Sequence, residues 1–262
     1  MKLAANLSML YGYLPLEERF AAAAKDGFNY VEILFPYDQS PQWYAQQLQR
    51  HQLQLVLINT AIEPPDFPVG MAAQPRAASQ FRQSFETTLE VCAATGCKAV
   101  HVMPGLKDYG LSRQDQQLEL IDNLLWAATR SGDVVLNLEA LNDTDVPDYF
   151  YASPQQALSV LNACQRPNLG LQFDFYHVVK QGLDLNEQLQ TCLPWVRHVQ
   201  VAGSPQRHEP VLEQYGLLAG FRQLHETGYS GFVGCEYRPA AQASDGLAWM
   251  QPLLDSGWAT LR

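Results

Sequence analysis

A single α/β domain, folded as a (β/α)8 TIM barrel, is predicted by three observations. Short apolar runs of strand length alternate with longer amphipathic stretches eight times, with no polar linker or shift in composition between them. The chain has 262 residues, and such a barrel typically needs roughly 250. No strand is followed by a G-x-G-x-x-G turn, so an open doubly wound sheet that binds a dinucleotide has no support. One barrel domain over 1–262 is the expectation.

The elements follow in order. "KLAANLS" (2–8) reads as the first strand, and "LEERFAAAAKDG" behind it as a helix ending at Gly27. "YVEILF" (30–35) is rich in β-formers and leads to the helical "QWYAQQLQRH". "QLVLINT" (54–60) precedes "TAIEPPDFPVGMAAQP" (60–75), which is long and proline-rich for a βα connection and is expected to be a lid or binding loop. "RAASQFRQSFETTLEVCAATG" is a long helix closed by Gly96; "AVHVMPG" (99–105) is the fourth strand, and "DQQLELIDNLLWAATRSG" the helix closed by Gly132. Then come "VVLNLEA" (134–140) with "PQQALSVLNACQ", "LGLQFDF" (169–175) with "LNEQLQTCL", and "VRHVQVA" (196–202) with "LLAGFRQLHETG". "GFVGCEY" (231–237) completes the set. Glycine just past a helix suits the left-handed residue that often terminates one.

Composition narrows the function. Hydrophobic residues make up 47% of the chain, enough for a large core, yet no apolar run approaches the ~20 residues of a membrane span. The N-terminal stretch is broken by Asn6, Ser8 and Gly12 and lacks a signal-peptide layout, so a cytoplasmic protein is expected. Five scattered cysteines, none in a CxxC pair, read as reduced and structural. A net charge of −10 argues against nucleic acid, whose phosphates call for clustered Lys and Arg. Locally, that acidity could gather around a metal.

Active sites of such barrels sit at the C-terminal strand ends. Those ends carry Asn6 and Ser8, Glu32, Asn59, His101, Glu139, Asp174 with His177 beyond it, His198 and Gln200, and Glu236. Four consecutive late strands thus deliver Glu139, Asp174, Gln200 and Glu236, all oxygen donors, to one rim. Oxygen ligands suit Mg²⁺ or Mn²⁺ better than structural zinc. Two glutamates beside such an ion can move a proton between neighbouring carbons, which is the chemistry of aldose–ketose isomerisation through an enediolate. Singly, each residue also has an ordinary reading: a strand-end glutamate paired to Arg or Lys, His101 bonded to a backbone carbonyl, His177 capping the next segment, Arg207 as a loop arginine. Tyr37, Tyr149 and Tyr151 read as packing or rim residues.

The stretches "AANLSMLY", "GFNYVEILFPYD", "HVMPG", "LEAL", "QFDFYH", "RHEP" and "GFVGCEYRPA" resemble the hydroxypyruvate isomerase family, part of the xylose-isomerase-like barrels. The resemblance runs from residue 4 to about residue 250. It implies hydroxypyruvate isomerase or 2-oxo-tetronate isomerase activity on a small hydroxy-oxo acid, with Glu139 and Glu236 as proton donor and acceptor. "INTA", "HVMPG" and "RHEP" lean toward 2-oxo-tetronate. The wider epimerase and isomerase group implies Glu139, Asp174, Gln200 and Glu236 as ligands of Mg²⁺ or Mn²⁺. It further implies His177, Arg207, His101 and Asn59 as substrate contacts. Gln200 stands where the epimerases have a histidine, which predicts weaker, more exchangeable metal binding. "QPRAASQ" and "VLEQYGLL" depart from the family's usual stretches, and the loop after "HVMPG" is short. Alternatives are a sugar-acid or polyol epimerase or dehydratase on the same barrel, a DNA-repair nuclease, and a non-catalytic sugar-acid-binding barrel. Assembly as a homo-oligomer is left open.

Overall fold

The computed structural model, which describes residues 1–63 and 65–262, contains all eight expected strands. They are β1 (Lys2–Asn6), β2 (Tyr30–Ile33), β3 (Gln54–Asn59), β4 (Ala99–His101), β5 (Val135–Glu139), β6 (Leu169–Asp174), β7 (Val196–Val201) and β8 (Phe232–Cys235). Every neighbouring pair is parallel, and β8 pairs with β1 to close the barrel. Closure leaves no free sheet edge.

The helices are α1 (Leu16–Lys25), α2 (Pro41–His51), α3 (Ala78–Thr95), α4 (Arg113–Arg130), α5 (Pro154–Cys164), α6 (Phe175–Lys180), α7 (Leu185–Cys192), α8 (Leu217–Glu226) and α9 (Gln251–Asp255). Their starts follow local chemistry. The Ser40 hydroxyl accepts from the Trp43 N–H to begin α2, and Ser112 accepts from the Asp115 N–H to begin α4. Gly96 ends α3 at φ 76°, a conformation that costs a Cβ-bearing residue more. Inward stripes such as Phe81, Phe85, Thr88 and Val91 on α3 are buried against the barrel. Among the described residues, no helix is long and apolar enough to cross a membrane.

All eight strands are shorter than the sequence reading, β4 by the most. β4 stops at His101: the Val102 N–H still makes the ladder bond to the Asn137 carbonyl, but the Met103 N–H donates to the Thr60 hydroxyl rather than to a backbone carbonyl, and the ladder ends there. β6 ends one residue early because Asp174 caps a short helix, its Oδ1 accepting from Tyr176 N–H at 2.8 Å. The capping residue is thus Asp174, with His177 inside the first turn of α6.

The loop between β3 and α3, expected as a lid or binding loop, is tied to the β4 side of the barrel. Ala72 and Ala73 donate to the Met103 and Pro104 carbonyls, and Gly70 forms a bridge to Pro104. A Cβ on Gly70 would lie 2.2 Å from the Met103 carbonyl oxygen, so glycine is what allows this approach. Pro64, within that predicted loop, lies outside the described residues.

Register then aligns the polar residues. Asn6 faces Glu32, Asn59 faces His101, Glu139 faces Gln172, Asp174 faces Gln200, and Val201 faces Cys235, just before Glu236. Strand alternation turns these polar side chains inward at one end of the barrel.

Candidate active site

The deepest layer is a plug of buried polar groups. Glu32, fully buried, meets His198 Nε2, accepts from Asn6 Nδ2 at 3.1 Å and from Gln200 Nε2 at 3.0 Å. Such a group is tolerated inside only when its oxygens are satisfied. Gly234 makes the room: a Cβ there would sit 2.0 Å from Glu32 Oε1.

Above the plug lies Glu139. Its Oε2 accepts from Gln172 Nε2 at 2.7 Å and meets His101 Nδ1 at 3.2 Å, while its buried Oε1 has no partner. His101 Nε2 faces the Tyr149 hydroxyl at 3.5 Å. Burial pushes His101 down to about pKa 3, so it is neutral and holds Glu139 as an N–H donor. Burial, followed by the charges of Glu236 and Asp174, holds the Glu139 pKa well above the usual carboxylate range.

Glu236 closes the other side. Its Oε2 accepts from Arg207 Nη2, and its Oε1 from Asn6 Nδ2 at 3.4 Å. Arg207 also reaches Asp174 Oδ2 at 3.4 Å and packs its guanidinium 4.8 Å from the Tyr176 ring centroid. Its Nη1 carries no protein hydrogen bond among the described residues. Burial raises Glu236 to about 8 and Asp174 to about 6, and the Arg207 charge opposes both shifts. Burial works against the Arg207 cation, yet Glu236, Asp174 and Glu139 hold its pKa above the ordinary value. Arg207 sits at φ 59°, a left-handed conformation costing about 1–2 kcal/mol, held by its N–H to Gly203 and its carbonyl to Arg238.

His177 has a defined tautomer. Asn142 Oδ1 accepts from the N–H groups of Thr144 and Asp145, which orients its Nδ2 toward His177 Nδ1 at 2.7 Å; the Asn142 backbone N–H donates to the same nitrogen at 3.0 Å. Both donors fall on Nδ1, so the proton resides on Nε2, which points to Asp174 Oδ2 at 3.6 Å. Burial lowers its pKa well below the ordinary value, and Arg207 adds to that. The imidazole is neutral.

A cleft of about 220 Å³ joins these groups, lined by Asn59, His101, Glu139, His177, Arg207 and Glu236, with Pro68 and Val69 of the β3–α3 loop. These six polar groups were named from the sequence; Arg238, which also lines the cleft, was not. Asp174 sits beside them, while Gln200 lies a layer lower, its Oε1 accepting from Gln172 at 2.6 Å. Gln172, Asn142 and the Tyr149 hydroxyl were not anticipated. Gln172 had a legible signal, since it lies two residues before Asp174 on the same strand face.

A metal ion could be held here. Ligand atoms of Glu139, Asp174 and His177 lie within 4.8 Å of one another, all buried. Two carboxylates, those of Asp174 and Glu236, pair with one guanidinium, and the unpartnered Oε1 of Glu139 is a ready oxygen donor beside them. That set fits a hard divalent cation. His177 is the poorer ligand, because its Nε2 carries a proton.

Comparison with known proteins agrees with the geometry. Residues 20–253 match the family model described as xylose isomerase-like TIM barrel. The chain is 37% identical to 2-oxo-tetronate isomerase of Pectobacterium atrosepticum over 97% of its own length and 98% of the relative's. It is 30% identical to hydroxypyruvate isomerase of Escherichia coli K12, covering 96% and 99% of the two chains. A crystal structure described as AP endonuclease, family 2, from Brucella melitensis superposes with TM-score 0.88 at 34% identity, covering 96% and 98%. A closed eight-stranded barrel, its polar rim and full-length relatives named as isomerases converge: the chain belongs to the hydroxypyruvate isomerase family of xylose isomerase-like TIM barrels and is an isomerase.

Proposed function

We propose that the enzyme interconverts carbonyl and hydroxyl groups on adjacent carbons of a small hydroxy-oxo acid, 2-oxo-tetronate or hydroxypyruvate, with Glu139 and Glu236 as the proton-transfer pair. The observation that carries this is two buried glutamates lining one cleft, both with raised pKa values and one with an oxygen left unpartnered. A general acid or base works best with a pKa near the operating pH.

In the forward direction one glutamate removes the proton from the carbon beside the carbonyl. The C–H electron pair becomes the enediolate double bond as the carbonyl π pair moves onto its oxygen; the hydroxyl proton passes to that oxygen, the other glutamate protonates the former carbonyl carbon, and the new carbonyl forms on the carbon that lost its proton. Gln172 and His101 fix Glu139 through Oε2, so Oε1 is the atom that exchanges the proton. His177 Nε2–H and Arg207 Nη1–H donate to substrate oxygens, and such donors strengthen as negative charge develops. A Mg²⁺ or Mn²⁺ ion held by Glu139, Asp174 and Glu236, with Gln200 adjoining, would supply further positive charge beside those oxygens. The cleft is smaller than the roughly 300–1,000 Å³ of drug-sized sites, in keeping with a substrate of three or four carbons.

The nuclease reading has little support: the chain carries a net charge of −10, and the one metal-ligand cluster among the described residues contains a single histidine.

The test is proton exchange. The protein, with Mg²⁺ or Mn²⁺, is incubated in D₂O with each acid and followed by NMR. Deuterium at the carbon beside the carbonyl, together with the isomeric product, is expected. No exchange with either acid overturns the reading; exchange with loss of water would mark a dehydratase instead.

A further inference from the structure

We propose that Arg238 takes the substrate's carboxylate and so sets this site's preference for acids over neutral sugars; this deepens the isomerase reading and rests on it. Arg207 is the other guanidinium in the cleft, and its Nη2 is already committed to Glu236 and Asp174 while its Nε donates to the Glu236 carbonyl. A guanidinium clamped between two carboxylates has lost the open fork that grips a third. Arg238 lines the same cleft, is exposed, and makes no side-chain hydrogen bond or ion pair among the described residues.

The backbone explains its placement. Beyond β8 the chain continues extended: Glu236 N–H donates to the Val201 carbonyl and Arg238 N–H to the Arg207 carbonyl. Residues two apart on extended backbone share a face, so Glu236 and Arg238 both turn to the cleft while Tyr237 is buried. Tyr237 anchors the segment, its hydroxyl donating to the Gly246 carbonyl and accepting from Trp249 Nε1. One short segment therefore supplies a proton-transferring carboxylate and, at the mouth, a cation without a partner. A substrate seated with its reacting carbons between the glutamates would present its carboxylate toward that mouth.

The experiment compares Arg238→Gln and Arg238→Lys with the unaltered enzyme on hydroxypyruvate and on dihydroxyacetone, which replaces the carboxylate by a hydroxymethyl group. Arg238→Gln is expected to raise KM for hydroxypyruvate and to lower selectivity for it over dihydroxyacetone by roughly tenfold or more, the size of a lost charge-assisted contact. Arg238→Lys should restore part of that selectivity. Equal losses on both substrates, or an unchanged KM, would overturn the proposal. Titration with glycerate, which needs no turnover, reads the subsite independently. Weaker glycerate binding in Arg238→Gln supports it, and equal binding, or none to the unaltered enzyme, overturns it. Failure of turnover with intact glycerate discrimination would instead sink the isomerase reading alone.

Discussion

Arg207 donates to the Glu236 side chain through Nη2 and to its backbone carbonyl through Nε, so one guanidinium grips both ends of the residue that follows β8. This answers why a carboxylate is tolerated at the end of a buried strand. It also gives Arg207 a duty besides the substrate contact proposed for it: its charge lowers the Glu236 pKa against the upward push of burial. Arg207→Ala should therefore raise the pH at which Glu236 ionises above about 8 and cut kcat/KM by about 100-fold. Arg207→Lys keeps the charge but not the fork, and should recover only part. A pH–rate profile of the three proteins checks this; an unshifted profile in Arg207→Ala would show that the pair is merely structural.

Glu139→Gln and Glu236→Gln should each lower exchange by about 10²–10⁴-fold, the usual contribution of a positioned acid or base. Both variants should remain folded, and metal-free Glu139→Gln should melt higher at pH 8 than the parent, because it removes a carboxylate that burial disfavours; Glu236→Gln should not, because it leaves Arg207 without its main partner. Differential scanning calorimetry alongside deuterium exchange reads both halves. Near-full activity in either variant would refute the two-glutamate mechanism.

The pH dependence of stability has a definite sign. In the metal-free fold burial pushes Glu236 up to about 8 and Asp174 up to about 6, and Glu139 well above its usual value, whereas an unfolded chain releases those protons around pH 4. These three groups bind more protons in the folded state than in the unfolded, so their contribution to stability falls as pH rises from about 4.5 to about 8, while His101 and His177, neutral in the fold, oppose it below about 6.5. A divalent cation replaces the missing protons and should raise Tm more at pH 8 than at pH 5. Melting curves with EDTA and with Mg²⁺ or Mn²⁺ decide it. A metal effect that is the same at both pH values would mean the ion binds elsewhere.

The barrel was legible because eight apolar runs and their intervening amphipathic stretches repeat the same local pattern, and local pattern is what sequence carries. The rim residues were legible for the same reason: Glu139, Asp174 and Glu236 each interrupt an apolar strand at its end. What the sequence could not supply was register and pairing. That Arg207 reaches Glu236, that Glu32 meets His198, and that Gln172 joins Glu139 to Gln200 all depend on which strands lie side by side and at what offset. The shortness of β4 was equally hidden, since its ladder ends where the Met103 N–H takes the hydroxyl of Thr60, a residue distant in the chain.

Gly234 offers the sharpest test of that hidden pairing. In "GFVGCEY" it reads as a weak strand residue, and glycine inside a strand is normally a liability. Here it faces inward across from Glu32, and an added Cβ would lie 2.0 Å from one carboxylate oxygen and 2.4 Å from the other. The end of a glutamate can usually swing aside. This one cannot do so cheaply, because Asn6, His198 and Gln200 all hold it. Gly234→Ala should therefore cost about 1–3 kcal/mol, the range for forcing extra volume into a packed core. Since Gln200 and Asn6 connect the plug to Gln172 and Glu236, activity should fall with it. Urea denaturation measures the first effect and deuterium exchange the second. A Gly234→Ala protein as stable as the parent would mean that the Glu32 carboxylate moves freely, and that the plug does not brace the site.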